Sequence, residues 1–176
     1  SSSLGRGGPG VFALDVTDPA NVKFLWEKNG SDIPALGKNI GKPVIAQVAN
    51  GDWRVLLGNG PGSTGGSAQL ISIRITDGVS SVTNTGATGS NALSAVLARD
   101  TDGDRFADVA YAGDLQGNLW KFSGLSGTPT ATTLFQARDP SNNPQAIMAA
   151  PLVGKDPATA THWVFFGTGR NFDHED

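Results

Sequence analysis

The chain has 176 residues, and its 13 basic and 16 acidic side chains give a formal net charge of −3. This length allows one compact domain with a buried core, and the charge balance excludes the basic surface typical of nucleic-acid-binding domains and of polybasic membrane patches. No cysteine is present, so disulfides and thiolate zinc sites are excluded, and no apolar run approaches the roughly 18 to 20 residues that direct membrane insertion requires.

The predicted elements are all β-strands. Short apolar runs bounded by Gly, Asn, Asp and Pro are typical of strands joined by turns, and the sequence shows no convincing helical pattern. In chain order the predicted strands are 10–16, 23–27, 42–48, 53–59, 68–75, 92–98, 107–113, 118–124, 132–137, 147–153 and 162–168. The Ser- and Thr-rich stretch 80–90 is interpreted as a hairpin loop. Several strands are apolar on both faces, which requires a further sheet on each side.

A repeat of about 50 residues organises these strands. The three most apolar strands end at Gly58, Gly113 and Gly167, which lie 55 and 54 residues apart. Each of these strands follows another predicted strand, and the first two are also followed by one. Four short antiparallel strands in roughly 50 residues is the period of a β-propeller blade. We therefore predict an all-β propeller fold, with a β-sandwich of similar length as the alternative.

The repeat opens at a third strand and closes after a second strand. This predicts the strands of about three blades of four-stranded antiparallel sheet, in a single domain over residues 1–176. The predicted units are a half blade, two blades and a second half blade, at 10–27, 42–83, 92–137 and 147–172. A propeller ring typically contains four to eight blades. The chain is therefore predicted to be a fragment whose missing blades come from the rest of a longer protein.

The segment DTDGDRFAD, residues 100–108, places four aspartates in the connection between two strands of one predicted blade. The matching connections in the other repeats, ANGD and GKDPATAT, lack this cluster, so the aspartates are not needed to close the hairpin. Alternating carboxylates around a glycine suit calcium, which takes six to eight oxygen ligands. The predicted ligands are Asp100, Asp102, Asp104, Phe106 through its backbone carbonyl, and Asp108.

This loop differs from an EF-hand because no helices flank it and Tyr111 stands at the twelfth position, where an EF-hand has glutamate. It is therefore interpreted as a short EF-hand-like loop on a β scaffold. Calcium is the predicted cofactor. A solvated acidic turn without an ion is the first alternative, and magnesium or manganese is the second.

No catalytic residues are predicted. The stretch FALDVTDPANVKFLWE faintly resembles a blade motif of quinoprotein dehydrogenases, but Trp26 is better interpreted as packing between blades. The side chains of Trp53, Trp120 and Trp163 are interpreted as packing residues, with exposed sugar platforms of a lectin-type propeller as the alternative. Asp114, in the segment GDLQGN, is predicted to cap a tight turn.

Three segments in this order, GVFALDVTDP (10–19), DVAYAGDLQGNLWKF (108–122) and VFFGTGRNF (164–172), resemble the C-terminal propeller of type IV pilus proteins of the PilY1/PilC kind. The acidic loop is also similar to the calcium loops of integrin-type propellers. The pilus resemblance implies a calcium-binding, non-enzymatic module with the ligands named above. It also implies action at the pilus tip and in pilus assembly, with calcium balancing extension against retraction.

The same resemblance implies an exported protein at the bacterial cell surface, whose partners are minor pilins or a host surface receptor. The start of the chain, SSSLGRGGPG, lacks the apolar core of a signal peptide. Any export signal is therefore expected upstream of this sequence. The resemblance carries no ligand-binding residues of an adhesin, and the chain contains no Arg-Gly-Asp tripeptide.

Overall fold

A computed structural model describes residues 8, 10–38 and 41–169. In this part of the chain the backbone forms twelve β-strands and no α-helix, and so no helix that could cross a membrane. The strands are β1 (Gly10–Asp15), β2 (Lys23–Asn29), β3 (Val44–Ala49), β4 (Asp52–Gly58), β5 (Gln69–Arg74), β6 (Ser80–Asn84), β7 (Leu93–Arg99), β8 (Val109–Asp114), β9 (Asn118–Ser123), β10 (Thr130–Gln136), β11 (Leu152–Lys155) and β12 (His162–Phe165).

These strands form four antiparallel sheets of two, four, four and two strands. Strands that follow one another along the chain are neighbours in each sheet, in the orders β1-β2, β3-β4-β5-β6, β7-β8-β9-β10 and β11-β12. The prediction of an all-β fold built from four-stranded antiparallel sheets is confirmed.

Neighbouring sheets pack face to face through alternating side chains. On β4, Val55 and Leu57 pack with Trp26 of β2, whereas Leu56 lies on the opposite face and packs with Phe122 of β9. This alternation follows from the two-residue period of a strand. A smaller cluster of Leu119, Ala137 and Ile147, with Val164 and Phe166 against it, joins the β7–β10 sheet to β11–β12. Both faces of the middle strands are therefore buried, as the apolar runs predict.

The glycines that end the second strands allow the chain of the next sheet to approach closely. A Cβ atom on Gly58 would lie 2.0 Å from the carbonyl oxygen of Ser94, and one on Gly113 would lie 2.3 Å from the Cβ of Ile147. No side chain fits in these spaces. At Gly167, the third position of the repeat, a Cβ would meet no atom within 4 Å.

Two predicted elements are wrong. Ser80–Asn84 forms strand β6 instead of a loop. It is the fourth strand of its sheet and, among the described strands, pairs with β5 alone, so it carries no apolar pattern. Residues 147–151, predicted as the start of a strand, lie outside β11, which begins at Leu152. There the backbone N–H of Ile147 bonds to the carbonyl of Asp114, and the side chain fills the space beside Gly113. The predicted residues 170–172 lie outside the described part of the chain.

The tryptophans are divided between the core and the surface. Trp26 and Trp120 are buried, as predicted, and the indole N–H of Trp26 donates to the carbonyl of Ile75 at 2.7 Å. Trp53 and Trp163 are 46% and 54% exposed, so the packing interpretation is wrong for these two side chains. Trp53 lies on the face of its sheet that only the two-stranded β1–β2 sheet covers. Trp163 lies on a face of the β11–β12 sheet that no sheet of the described residues covers.

Candidate metal centre

The acidic loop connects β7 to β8. It brings together Asp100, Asp102 and Asp108, which each offer a carboxylate oxygen within 4.8 Å of the others. Asp102 is exposed, whereas Asp100 and Asp108 are half-buried. Among the described residues the lysine and arginine ion pairs are Arg54–Asp52 and Arg74–Asp77, so no basic side chain pairs with this loop.

The loop fold is set by its own carboxylates, which accept hydrogen bonds from backbone N–H groups. Asp100 accepts from Gly103 at 2.6 Å and from Arg105 at 2.8 Å, and Asp102 accepts from Asp104 at 3.1 Å. Gly103 has a φ of +93°, where a residue without a side chain is favoured, and Arg105 has a φ of +78°. The chain therefore winds around the carboxylates and holds them on one side.

Both ends of the loop are fixed to the sheets. The backbone N–H of Asp108 donates to the carbonyl of Arg99 at 3.0 Å, which closes the hairpin. The N–H of Ala107 donates to the carbonyl of Gln47 at 2.8 Å, which joins the loop to the neighbouring sheet. The position of Asp108 is thus set by two sheets at once.

The predicted ligands fall into two groups. Asp100, Asp102 and Asp108 lie in the cluster, whereas Asp104 and Phe106 do not belong to it. One carboxylate oxygen of Asp104 accepts from the backbone N–H of Phe106 at 2.8 Å. The donor set, all carboxylate oxygen, fits a hard cation such as calcium. The five-ligand assignment stays a prediction.

Sequence reasoning missed Thr101. Its backbone N–H and its hydroxyl each donate to one oxygen of Asp108 at 2.7 Å. These two hydrogen bonds fix the orientation of the Asp108 carboxylate, which lies seven residues later in the chain. In the sequence, the only indication of this role was a hydroxyl side chain between two aspartates.

The Asp100 carboxyl group provides a pH-dependent test of the loop. The backbone N–H of Gly103, together with that of Arg105, holds the pKa of Asp100 below its usual value of 3.8. Because the folded-state pKa lies below the unfolded value, the ionised group stabilises the folded loop above about pH 4, and this stabilisation is lost as the pH falls through the folded-state pKa. We expect a carboxyl carbon NMR titration of the calcium-free chain to give a midpoint below 3.8 for Asp100. A midpoint at or above 3.8 would contradict these hydrogen bonds.

A buried polar site lies at the other end of β8. Asp114 is fully buried and accepts hydrogen bonds from the side chains of Asn91, Asn118 and Trp120, at 2.8 to 2.9 Å. It also accepts from the backbone N–H groups of Gln116 and Asn118, as its predicted role as a turn cap requires. Nothing in the sequence indicated the hydrogen bond between Asp114 and Asn91, which lie 23 residues apart. All of these partners donate hydrogen bonds to the two carboxylate oxygens of Asp114. The carboxylate therefore stabilises the fold and has no free position for a ligand.

Comparison with known proteins identifies the family of this fold. A family model of the PilY1 beta-propeller domain matches residues 1–133. A crystal structure of the Pseudomonas aeruginosa PilY1 C-terminal domain superimposes with a TM-score of 0.85 at 37% sequence identity, covering 96% of this chain and 39% of that one. The propeller prediction is therefore confirmed.

Curated relatives align with 99% of this chain. A type IV pilus biogenesis factor PilY1 homolog of Xylella fastidiosa is 43% identical over 174 residues, and PilY1 of Pseudomonas aeruginosa strain PAO1 is 40% identical over 200 residues. Both alignments include 99% of this chain but only 14% and 17% of the relatives' lengths. Their names describe biogenesis factors and not enzymes, in agreement with the non-enzymatic prediction. The pilus-family resemblance is confirmed, and the chain belongs to the PilY1 β-propeller domain family.

Proposed function

We propose that this chain is the calcium-binding propeller segment of a type IV pilus biogenesis protein, with one ion held by the 100–108 loop. The observation that carries this proposal is the convergence of Asp100, Asp102 and Asp108 in a loop that no basic side chain of the described residues neutralises. Three close carboxylates repel one another in the absence of a cation. A divalent ion would replace this repulsion with shared coordination.

The remaining ligands in the proposal are Asp104 and the carbonyl of Phe106. Asp104 has a second carboxylate oxygen besides the one that accepts from Phe106, and we assign that oxygen to the ion. The carboxylates of Asp100 and Asp108 are held in place by loop hydrogen bonds, so their orientation does not depend on an ion. Calcium suits this site better than magnesium, because it accepts irregular coordination with more ligands.

The proposed effect of the ion is to couple loop order to the stability of the propeller. A ligand that binds only the folded state stabilises it by RT ln(1 + [L]/Kd). Asp108 and Ala107 connect the loop to β7 and to β3, so ordering of the loop would reach two neighbouring sheets. In this proposal, calcium-dependent order in this segment balances pilus extension against retraction.

A calcium-dependent melting experiment tests this proposal. Extracellular calcium modules have a Kd of about 10⁻⁴ to 10⁻³ M, so 10 mM calcium should stabilise the chain by about 1.4 to 2.7 kcal/mol. This corresponds to a rise in Tm of roughly 3 to 10 °C relative to EDTA. Replacement of Asp102 with alanine should remove the rise.

The matched control is Asp156→Ala. Asp156 is an aspartate in the β11–β12 connection, the equivalent hairpin of another repeat, and it accepts hydrogen bonds from Ala158 and Thr159. This variant should keep the calcium-dependent rise in Tm. An equal rise in the Asp102 variant, or no rise in the unaltered chain, would refute the proposal.

We further propose that the full-length protein is exported to the cell surface, with minor pilins or a host surface receptor as partners. The names of the curated relatives support a role in pilus biogenesis. The net charge of −3 makes a nucleic-acid partner an unsuitable choice. Co-purification of minor pilins with the full-length protein tests this proposal, and failure to recover them at native expression levels would count against it.

The domain organisation belongs to the same proposal. The sheets β1–β2 and β11–β12 act as half blades on either side of two whole blades. In a longer polypeptide the flanking sequence would supply the strands that complete them, consistent with the 39% of the solved PilY1 domain that this chain covers.

A further inference from the structure

Three asparagines of this chain stand directly before a glycine, where spontaneous loss of the side-chain amide is most favoured. They are Asn29 with Gly30, Asn50 with Gly51, and Asn59 with Gly60. Deamidation begins when the backbone nitrogen of the glycine attacks the side-chain carbonyl carbon of the asparagine. Because glycine has no Cβ, it leaves this approach open. The reacting pair is therefore the same at all three positions, and the fold decides whether they react at different rates.

The turn between β3 and β4 leaves Asn50 free to react. Strand β3 ends at Ala49 and β4 begins at Asp52, so the turn consists of Asn50 and Gly51. Both residues are exposed, and a Cβ on Gly51, which has a φ of +75°, would meet no atom within 4 Å outside its chain neighbours. Within the described part of the chain, no hydrogen bond holds the side-chain amide of Asn50 or the backbone N–H of Gly51. Neither the attacking nitrogen nor the side chain that it attacks is fixed by the rest of the fold.

Asn59 has the opposite environment, although it also precedes a glycine. It is fully buried, and its Nδ2 donates to the hydroxyl of Ser63 and to the carbonyl of Ser67, each at 2.8 Å. Its Oδ1 accepts from the backbone N–H of Leu93 at 2.8 Å. The N–H of Gly60 donates to the carbonyl of Leu93 at 3.1 Å. Both partners of the reaction are thus held, and they can meet only when the fold opens locally.

Asn29, the last residue of β2, is exposed but partly held. Its Oδ1 accepts from the backbone N–H of Ser31 at 2.8 Å. Its backbone carbonyl accepts from the N–H groups of Asp32 and Ile33, at 3.1 and 2.9 Å. These bonds fix the side chain and the turn that follows it, so Asn29 is expected to react more slowly than Asn50.

We propose that Asn50 is a site of spontaneous deamidation in the folded chain. A bond forms between the nitrogen of Gly51 and Cγ of Asn50, and the bond from Cγ to Nδ2 breaks. The departing amide takes up the proton that the Gly51 nitrogen loses and leaves as ammonia. Water then opens the five-membered imide, giving aspartate if the bond to Cγ breaks and isoaspartate if the bond to the backbone carbonyl carbon breaks. One water is consumed and one ammonia is released, and the calcium site has no part in the reaction.

The modification adds a negative charge close to the acidic loop. The net charge changes from −3 to −4. The backbone N–H of Ala107, at the end of the acidic loop, donates to the carbonyl of Gln47, three residues before Asn50. Arg54, the nearest basic residue in the sequence, is already paired with Asp52 at 2.8 Å. The new carboxylate therefore makes this side of the chain more acidic.

Peptide mapping of the folded 176-residue chain after prolonged incubation at mildly alkaline pH tests this proposal. Trypsin cuts after lysine and arginine, except before proline, and so separates the three sites into peptides 29–38, 39–54 and 55–74. Peptide 39–54 should convert to two products of equal mass, one with aspartate and one with isoaspartate. Its conversion should be at least about 100-fold faster than that of 55–74, because Asn59 reacts only after local opening. A sample digested at time zero corrects for reaction during digestion.

Two controls separate the effect of the fold from that of the sequence. In denaturant the three peptides should convert at comparable rates, because each asparagine precedes a glycine. In the folded Asn50→Gln variant, peptide 39–54 should stay unconverted over the same period, because glutamine would have to close a less favourable six-membered ring. This substitution changes an exposed turn residue, so the variant should unfold at the same denaturant concentration as the unaltered chain.

Three results would overturn the proposal. The first is conversion of peptide 29–38 or 55–74 as fast as that of 39–54 in the folded chain. The second is formation of aspartate without isoaspartate, because direct hydrolysis of the amide by water gives aspartate alone and would exclude attack by Gly51. The third is the same ratio of rates in denaturant as in the folded chain, which would assign the difference to the sequence and not to the fold.

Discussion

Replacing Gly58 with alanine is expected to lower the free energy of unfolding by about 3 kcal/mol, which is at the upper end of the cost of overpacking a core. The added Cβ would lie 2.0 Å from the carbonyl oxygen of Ser94 and 2.4 Å from that of Leu93. Both neighbours are backbone atoms of β7, so no side-chain rotation relieves the contact. The sheets β3–β6 and β7–β10 would have to move apart and expose the core between them.

Urea unfolding monitored by tryptophan fluorescence measures this effect. The matched control is Gly127→Ala, at an exposed glycine with a negative φ whose nearest Cβ neighbour lies at 4.0 Å. This control is expected to change the free energy of unfolding by less than about 0.5 kcal/mol. If Gly58→Ala and Gly127→Ala had equal stability, the proposed close approach of the two sheets would be wrong.

Replacing Asp114 with alanine is expected to destabilise the chain by about 3 to 5 kcal/mol, the usual cost of leaving buried polar partners unpaired. The substitution removes the acceptor of five hydrogen bonds, which come from Asn91, Trp120, Gln116 and twice from Asn118. The site is fully buried, so water cannot replace the carboxylate without opening the sheet.

An Asp114→Asn variant distinguishes the contribution of side-chain shape from that of hydrogen-bond acceptance. The amide keeps the size of the side chain but turns one of its two groups into a donor that faces other donors. We expect a loss of about 2 kcal/mol or more by denaturant unfolding. The control is Asp139→Ala, which removes an exposed carboxylate that accepts from Asn143, and it should cost about 1 kcal/mol or less. Equal losses for the Asp114 and Asp139 alanine variants would contradict a buried hydrogen-bond network.

Features that depend on local sequence were predictable here. The middle strands are apolar because sheets stack on both of their faces, and the repeat of Gly58 and Gly113 marks the points of closest approach. The acidic cluster was also predictable in part, because Asp100, Asp102 and Asp108 lie within nine residues and fold around one another. In these cases the interacting groups are neighbours in the chain or follow its repeat.

Features that depend on distant contacts were not predictable. Strand β6 carries no apolar pattern because it pairs on only one side, so its polar sequence is typical of a loop. The exposure of Trp53 and Trp163 depends on which sheets cover them and not on their own strands. The hydrogen bond between Asn91 and Asp114 links the segment just before β7 to the end of β8, and neither residue type identifies its partner.

The most direct test of the calcium proposal is a crystal structure of this chain grown in millimolar calcium. We expect one ion bound at about 2.3 to 2.6 Å by the carboxylates of the four loop aspartates and by the carbonyl of Phe106. Strong density at this position, and its loss in crystals of the Asp102→Ala variant, would establish the site. An ordered loop whose carboxylates point into solvent around a water molecule, at the same calcium concentration, would contradict it.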